Sequence, residues 1–190
     1  MTTRVLILED HRAMRDALAA HVTLVLGDVE ITAPDVAAIP IDLAHCDVAL
    51  VDMDLGDEID TLACVRTLVS QGTTVILTSA VGSPATLQAG IREGAWNYSP
   101  KSTDLAELAA VLRAWRAGQR YLGQDLAAKL VTPHIDGVEL DPLTRRALTL
   151  HSTGMTPRAI STTMGLTTAR VDELLEGGGA AFRAGQVRPA

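Results

Sequence analysis

Residues 47–55 read Asp-Val-Ala-Leu-Val-Asp-Met-Asp-Leu, four apolar residues in a row that run straight into carboxylates. A strand with one face in water alternates apolar and polar residues. An unbroken run marks a strand covered on both faces, as in a parallel sheet. The pattern recurs on either side. Val5-Leu6-Ile7-Leu8 runs into Glu9-Asp10, and Val75-Ile76-Leu77 runs into Thr78-Ser79. Strands are therefore predicted at Arg4–Leu8, Val29–Thr32, Asp47–Met53, Thr74–Thr78 and Trp96–Ser99. Helical spacing fills the intervals at Arg12–Leu26, Thr61–Ser70, Pro84–Glu93 and Thr103–Ala117, with a further helix over Pro34–Cys46 that Pro40 interrupts. Gly27, Gly72 and Gly118 fall where helix C-caps favour glycine. Five strands alternating with five helices predict an α/β fold over residues 1–118, a five-stranded, parallel, doubly wound sheet of the flavodoxin-like kind.

The pattern changes after that. Residues 119–139 read as a connection holding one short helix, Gln124–Val131, stopped before Pro133. Residues 140–190 are helical throughout: apolar Leu143, Ala147, Leu150, Ile160, Met164, Val171, Leu174 and Leu175 recur at helical spacing. Thr153-Gly154-Met155 and Gly165-Leu166-Thr167 separate three short helices. Gly177-Gly178-Gly179 is expected to end the order, since three glycines cost about 3 kcal/mol inside a helix.

The composition is that of a globular chain. Of 190 residues 47% are hydrophobic and 21% charged, and with only 3% aromatic the core must come from Leu, Val, Ile and Ala. No apolar run approaches the roughly 18 residues of a membrane span. The apolar stretch near the N-terminus is too short for a signal peptide, so a soluble, cytoplasmic protein without membrane contact is expected. Cys46 and Cys64 give neither a disulfide framework nor zinc spacing. The net charge of −7 is carried by residues 1–120, whereas residues 140–190 hold six basic residues against four acidic. The far end could meet an anion, although so small an excess also suits a plain solvated surface.

In a doubly wound sheet, ligands bind beyond the carboxyl ends of the strands where the strand order reverses. There the first strand offers Glu9 and Asp10, the third Asp52 and Asp54, the fourth Thr78 and the fifth Lys101. Crowded carboxylates call for a hard divalent cation, and Mg²⁺ suits a site with few carboxylates and a phosphate. A carboxylate can also attack phosphorus to give an aspartyl phosphate. Asp52 is read as the nucleophile and Glu9 and Asp10 as metal ligands, with Lys101 and Thr78 each meeting a phosphoryl oxygen. An EF-hand loop is excluded, because Gly56 and Ala63 stand where that loop would need other residues.

Residues 1–118 resemble the receiver domain of a two-component response regulator, on the motifs VLILEDH (5–11), DVALVDMDL (47–55), VILTSA (75–80) and GAWNYSPKS (94–102). The resemblance implies that a sensor histidine kinase phosphorylates Asp52. It implies Mg²⁺ on Glu9, Asp10, Asp52 and the main-chain carbonyl of Asp54, with Lys101 and Thr78 on the phosphoryl oxygens. Tyr98 would turn as Thr78 moves, although on periodicity it is an ordinary strand aromatic. No enzyme activity beyond self-phosphorylation and self-dephosphorylation is implied. Gly56 departs from the proline usual there, and Pro100 precedes Lys101 on what should be an edge strand, where a missing donor is tolerated. Phosphatases of the haloacid dehalogenase type also use an Asp-x-Asp motif, which Asp52-Met53-Asp54 imitates, but place an acidic pair after the lysine. Here Glu9-Asp10 precedes everything.

Residues 140–148, 152–160 and 164–174 resemble, more loosely, a LuxR-type helix-turn-helix, and the whole chain a NarL/FixJ-type response regulator; spacing alone would also fit a small three-helix bundle. The resemblance implies DNA as a partner, met by Thr167, Thr168, Arg170, Arg158 and Arg145, and a homodimer. Asp172, Glu173 and Glu176 run against it, since carboxylates facing the groove repel phosphates. The alternative is a helical tail that binds a protein instead. In either case phosphorylation would act by shifting a population, through the surface of residues 84–93, 96–99 and 103–117.

Overall fold

The structure is a computed structural model and describes residues 2–35, 45–80, 84–101, 105–119, 121–131 and 140–184. The chain divides into two compact units, Met1–Gln119 and Arg120–Ala190.

In the first unit the strands are β1 (Thr3–Leu8), β2 (Val29–Thr32), β3 (Val48–Asp52), β4 (Thr74–Ser79) and β5 (Asn97–Pro100). They form one parallel sheet in the order β2-β1-β3-β4-β5, the doubly wound order expected from the sequence. Every residue of β3 is buried, which accounts for its unbroken apolar run. The helices are α1 (Arg12–Leu26), α2 (Thr61–Ser70), α3 (Pro84–Arg92) and α4 (Ala106–Arg116). Right-handed crossovers place a helix on one face when the chain steps from β1 to β2, and on the other when it steps from β3 to β4 to β5. Accordingly α1 packs with α4, and α2 with α3. Most of the helix predicted over Pro34–Cys46, residues 36–44, lies outside the described residues, as do residues 103 and 104 of the helix predicted at Thr103–Ala117.

Pro100 closes β5 at the sheet edge opposite Ser79, and the next residue restores the ladder with Lys101 N–H donating to the Ser79 carbonyl at 2.9 Å. Gly56 has φ +84°, which proline cannot adopt, so the loop after Asp52 takes a path closed to the proline that the resemblance would put there.

The second unit holds α5 (Gln124–Val131), α6 (Pro142–Ser152), α7 (Pro157–Met164) and α8 (Thr168–Ala184). The helix of the connecting segment, α5, packs on α6. Two helix starts are built alike. Asp141 accepts from Leu143 N–H and Thr144 N–H, both at 3.0 Å, and Thr156 accepts from Ala159 N–H at 3.3 Å; in each case proline follows in the first helical position, where no N–H is needed. The core is Leu126, Ala127, Leu130, Ala147, Leu148, Ile160, Val171, Leu174 and Leu175.

One expectation is overturned. The glycine triplet does not end the order: α8 continues through Gly177-Gly178-Gly179 to Ala184. The reason is packing. A Cβ on Gly178 would stand 2.8 Å from Cδ1 of Leu148, whose side chain is fully buried. The glycine lets α8 approach α6 closely, and that contact offsets its poor helix propensity. Gly177 is exposed with nothing near the Cβ position. Gly177→Ala should therefore stabilise the second unit by about 1 kcal/mol, whereas Gly178→Val should destabilise it by about 2 kcal/mol through overpacking. Urea denaturation of the two variants checks both signs; equal effects would remove the packing account.

Candidate phosphoryl-acceptor site

The strand order reverses between β1 and β3, and the carboxyl ends of β1, β3, β4 and β5 bring the predicted residues together. Asp52 ends β3 and pairs in register with Thr78 of β4. Glu9 follows β1, and Lys101 follows β5. Glu9 is 0% exposed and Asp52 3%. Between them lies the Lys101 ammonium, 2.6 Å from Glu9 Oε2 and 2.6 Å from Asp52 Oδ2, its side chain 6% exposed. Burial works against the lysine's charge, but its hydrogen bonds and attraction to Asp52 and Glu9 outweigh this and hold its pKa above the ordinary lysine value. The other carboxylate oxygens meet backbone: Glu9 Oε1 accepts from His11 N–H at 3.1 Å, and Asp52 Oδ1 from Asp54 N–H at 3.3 Å.

Thr78 is also buried, and its hydroxyl has no hydrogen-bond partner among the described residues. A buried hydroxyl without a partner costs about 1–3 kcal/mol, so its place beside Asp52 asks for a ligand atom. Tyr98, expected to turn with Thr78, is fully buried on β5.

Asp10 stands apart from the buried trio. Its Oδ1 lies 2.6 Å from His11 Nδ1. Burial works against the Asp10 charge, but that hydrogen bond and the attraction of His11 bring its pKa below the usual carboxylate range, while the same contact raises His11. Glu9, Asp10 and His11 each offer a ligand atom within 4.8 Å of the others. An open cavity of about 670 Å³ is lined by Glu9, His11, Asp52, Asp54, Ser79 and Lys101, with Met14 and Thr86 at its sides. The donor set, carboxylates in excess of the ammonium they touch, fits a hard divalent cation.

Two residues were not singled out from sequence. His11 continues Glu9-Asp10 and pairs with the second of them. Arg15, one turn into α1, donates to the Glu9 main-chain carbonyl at 3.0 Å. The four-residue spacing from His11 to Arg15, at the start of a predicted helix, is the signal that could have found Arg15.

In the second unit Arg145, Arg146, Arg158, Thr167, Thr168 and Arg170 are all exposed. The Thr167 hydroxyl oxygen accepts from Arg170 N–H at 3.2 Å and so caps α8. The Arg170 guanidinium is not free: it donates to Glu173 at 2.7 Å. Asp172 and Glu176 are exposed on the same helix.

The buried trio makes a prediction about stability. Lys101→Met leaves two buried carboxylates without their cation and should destabilise the first unit by about 3 kcal/mol. Adding Asp52→Asn should restore part of that loss, because one of the two charges goes with it. Urea denaturation of the single and double variants measures both.

No protein-family model matches the chain. Over 147 residues, 76% of its length, it is 31% identical to the response regulator MprA of Mycobacterium ulcerans (strain Agy99) and spans 63% of that protein. Among solved structures, the RcsB response regulator of Salmonella typhimurium, studied for its conformational dynamism in DNA interaction, matches with a TM-score of 0.60 at 15% identity, covering 100% of this chain and 94% of that one. A LuxR-family two-component response regulator from Aurantimonas sp. SI85-9A1 matches with a TM-score of 0.56 at 19% identity, covering 68% of this chain and 95% of that one. At these identities the structural likeness speaks for the fold alone, and the chain spans less than two thirds of the sequence relative it matches. No described helix is long and apolar enough to cross a membrane. The sheet order, the acidic strand ends and the 147 residues aligned with MprA agree: over that stretch the chain is similar to two-component response regulators.

Proposed function

We propose that Asp52 is the phosphoacceptor and that its phosphorylation by a sensor histidine kinase controls transcription through the helices of residues 140–190. The observation that carries the reading is the buried Asp52 carboxylate held 2.6 Å from the Lys101 ammonium, opposite a Thr78 hydroxyl with no hydrogen-bond partner among the described residues. Oδ2 is taken up by Lys101, whereas the long contact to Asp54 N–H leaves Oδ1 the freer oxygen to attack. A lone pair of Asp52 forms the O–P bond as the P–N bond of phosphohistidine breaks. The departing imidazole nitrogen takes a proton, and Asp52 becomes an acyl phosphate. Lys101 neutralises one phosphoryl oxygen and Thr78 donates to another. Glu9, Asp10, Asp52 and the Asp54 carbonyl would hold Mg²⁺, which supplies charge neutralisation when bound. A phosphoryl oxygen on Thr78 would hold Tyr98 in its buried position and bias the surface around β5. The protein turns over no substrate beyond its own phosphoryl group.

The reading of the second unit rests on its fold, on the DNA interaction of RcsB, and on the exposed Arg145, Arg158, Thr168 and Arg170. The phosphorylated form would bind DNA as a homodimer in the cytoplasm. The Arg170–Glu173 pair favours a second reading, a tail that docks a protein.

Acetyl phosphate with Mg²⁺ should add one phosphoryl group to the chain by intact mass, and Asp52→Asn should add none. Uptake persisting in that variant would refute the assignment. Genomic fragments should bind selectively, more tightly with beryllofluoride, and with affinity falling steeply as salt rises. Failure to bind in either state would favour the protein-docking tail.

A further inference from the structure

Arg15 presents a puzzle of sign. Its guanidinium is bonded to the backbone of Glu9, a residue whose carboxylate would help hold a divalent cation, and a fixed positive charge near such a site opposes a second one by Coulomb repulsion. Yet the side chain is only 11% exposed, and Nη1 donates at 3.0 Å to the main-chain carbonyl of Glu9. Its other charged contact is the exposed Asp35 carboxylate, 3.9 Å away and beyond β2.

The contact falls at a junction. Glu9 is the residue where the chain leaves β1 to enter α1, and its two carboxylate oxygens already have separate jobs. Oε1 accepts from His11 N–H and Oε2 meets Lys101. The Glu9 carbonyl therefore belongs to the peptide that orients Asp10, whose carboxylate is met by His11 rather than by Lys101. Holding that carbonyl from the first turn of α1 fixes the Glu9–Asp10 peptide plane and with it the direction in which Asp10 leaves the chain.

We propose that Arg15 is a positioning residue for the divalent-cation site, setting the Glu9–Asp10 turn from α1 against the repulsion of its own charge. The proposal rests on the reading of Glu9, Asp10 and Asp52 as that site. Partners that orient metal ligands from behind are worth about 10–100-fold in metal affinity, whereas removing a nearby cation should by itself tighten binding. The two effects have opposite signs, so affinity decides between them.

The test measures Mn²⁺ binding to the full chain by the electron paramagnetic resonance signal of the free ion, at fixed ionic strength. Arg15→Met keeps the apolar stem and removes the donor and the charge. It should weaken Mn²⁺ by about tenfold, while phosphoryl uptake from acetyl phosphate recovers at saturating metal. Arg15→Lys, which can still donate to the carbonyl, should stay within about threefold of the parent on the same scale. Circular dichroism and the urea midpoint confirm that each variant is folded, and should Arg15→Met fail to fold, the lysine variant alone decides. Unchanged or tighter Mn²⁺ binding in Arg15→Met, or a tenfold loss in Arg15→Lys, overturns the positioning role. Absence of Mn²⁺ binding to the parent chain would instead overturn the cation site itself, and the inference with it.

Discussion

A single ammonium group, that of Lys101, stands 2.6 Å from each of two carboxylates that the sheet buries almost completely. Taking such ions from water costs several kcal/mol each, and their mutual attraction repays that only where the geometry is well fixed. Fixing it is what the doubly wound order does here. β1 and β3 are neighbours because the strand order reverses between them, and β5 is delivered to the edge by the β4 crossover. Glu9, Asp52 and Lys101 are far apart in sequence and meet only because three parallel strands end at the same level. A stability argument alone would favour an apolar trio at this place. The charges make sense as the resting arrangement of the proposed group-transfer site, with Thr78 adding a buried hydroxyl that has no partner among the described residues.

The second unit is built on a different balance. Its fold is secured by paired helix starts, Asp141-Pro142 and Thr156-Pro157, and by the close approach of α8 to α6 at Gly178. Its surface is ambivalent. The arginines that a DNA backbone needs are exposed, but one of them is spent on Glu173, and Asp172 and Glu176 share its helix. An exposed pair of this kind is worth at most about 1 kcal/mol, so phosphate contacts could outbid it. Electrostatics therefore permits the DNA reading and makes it sensitive to salt.

The first unit was legible in the sequence because its signals are redundant. Apolar runs mark strands buried on both faces, and each run ends in a polar residue assigned to the proposed site. Glu9, Asp52 and Thr78 each follow such a run, and the fold brings them to the same end of the sheet as Lys101; α1 and α2 fell on their predicted boundaries. What escaped depends on three dimensions. Arg15 reads as an ordinary charged residue of an amphipathic helix until its guanidinium is seen on the Glu9 carbonyl. The course of α8 escaped because propensity is a local quantity. Three glycines weaken any isolated helix, but whether one of them buys a close helix contact depends on Leu148, thirty residues earlier in the chain.

The central claim is that Asp52, Lys101 and Thr78 form a pocket pre-arranged for a tetrahedral anion bonded to Asp52. The most direct measurement is a crystal structure of the protein with Mg²⁺ and beryllofluoride. The account predicts beryllium bonded to an Asp52 carboxylate oxygen, fluorine atoms within hydrogen-bond distance of both Lys101 Nζ and Thr78 Oγ1, and Tyr98 still buried. Beryllofluoride bonded to Asp10 or Asp54, or an occupied Asp52 with the Thr78 hydroxyl turned away from it, would contradict the account.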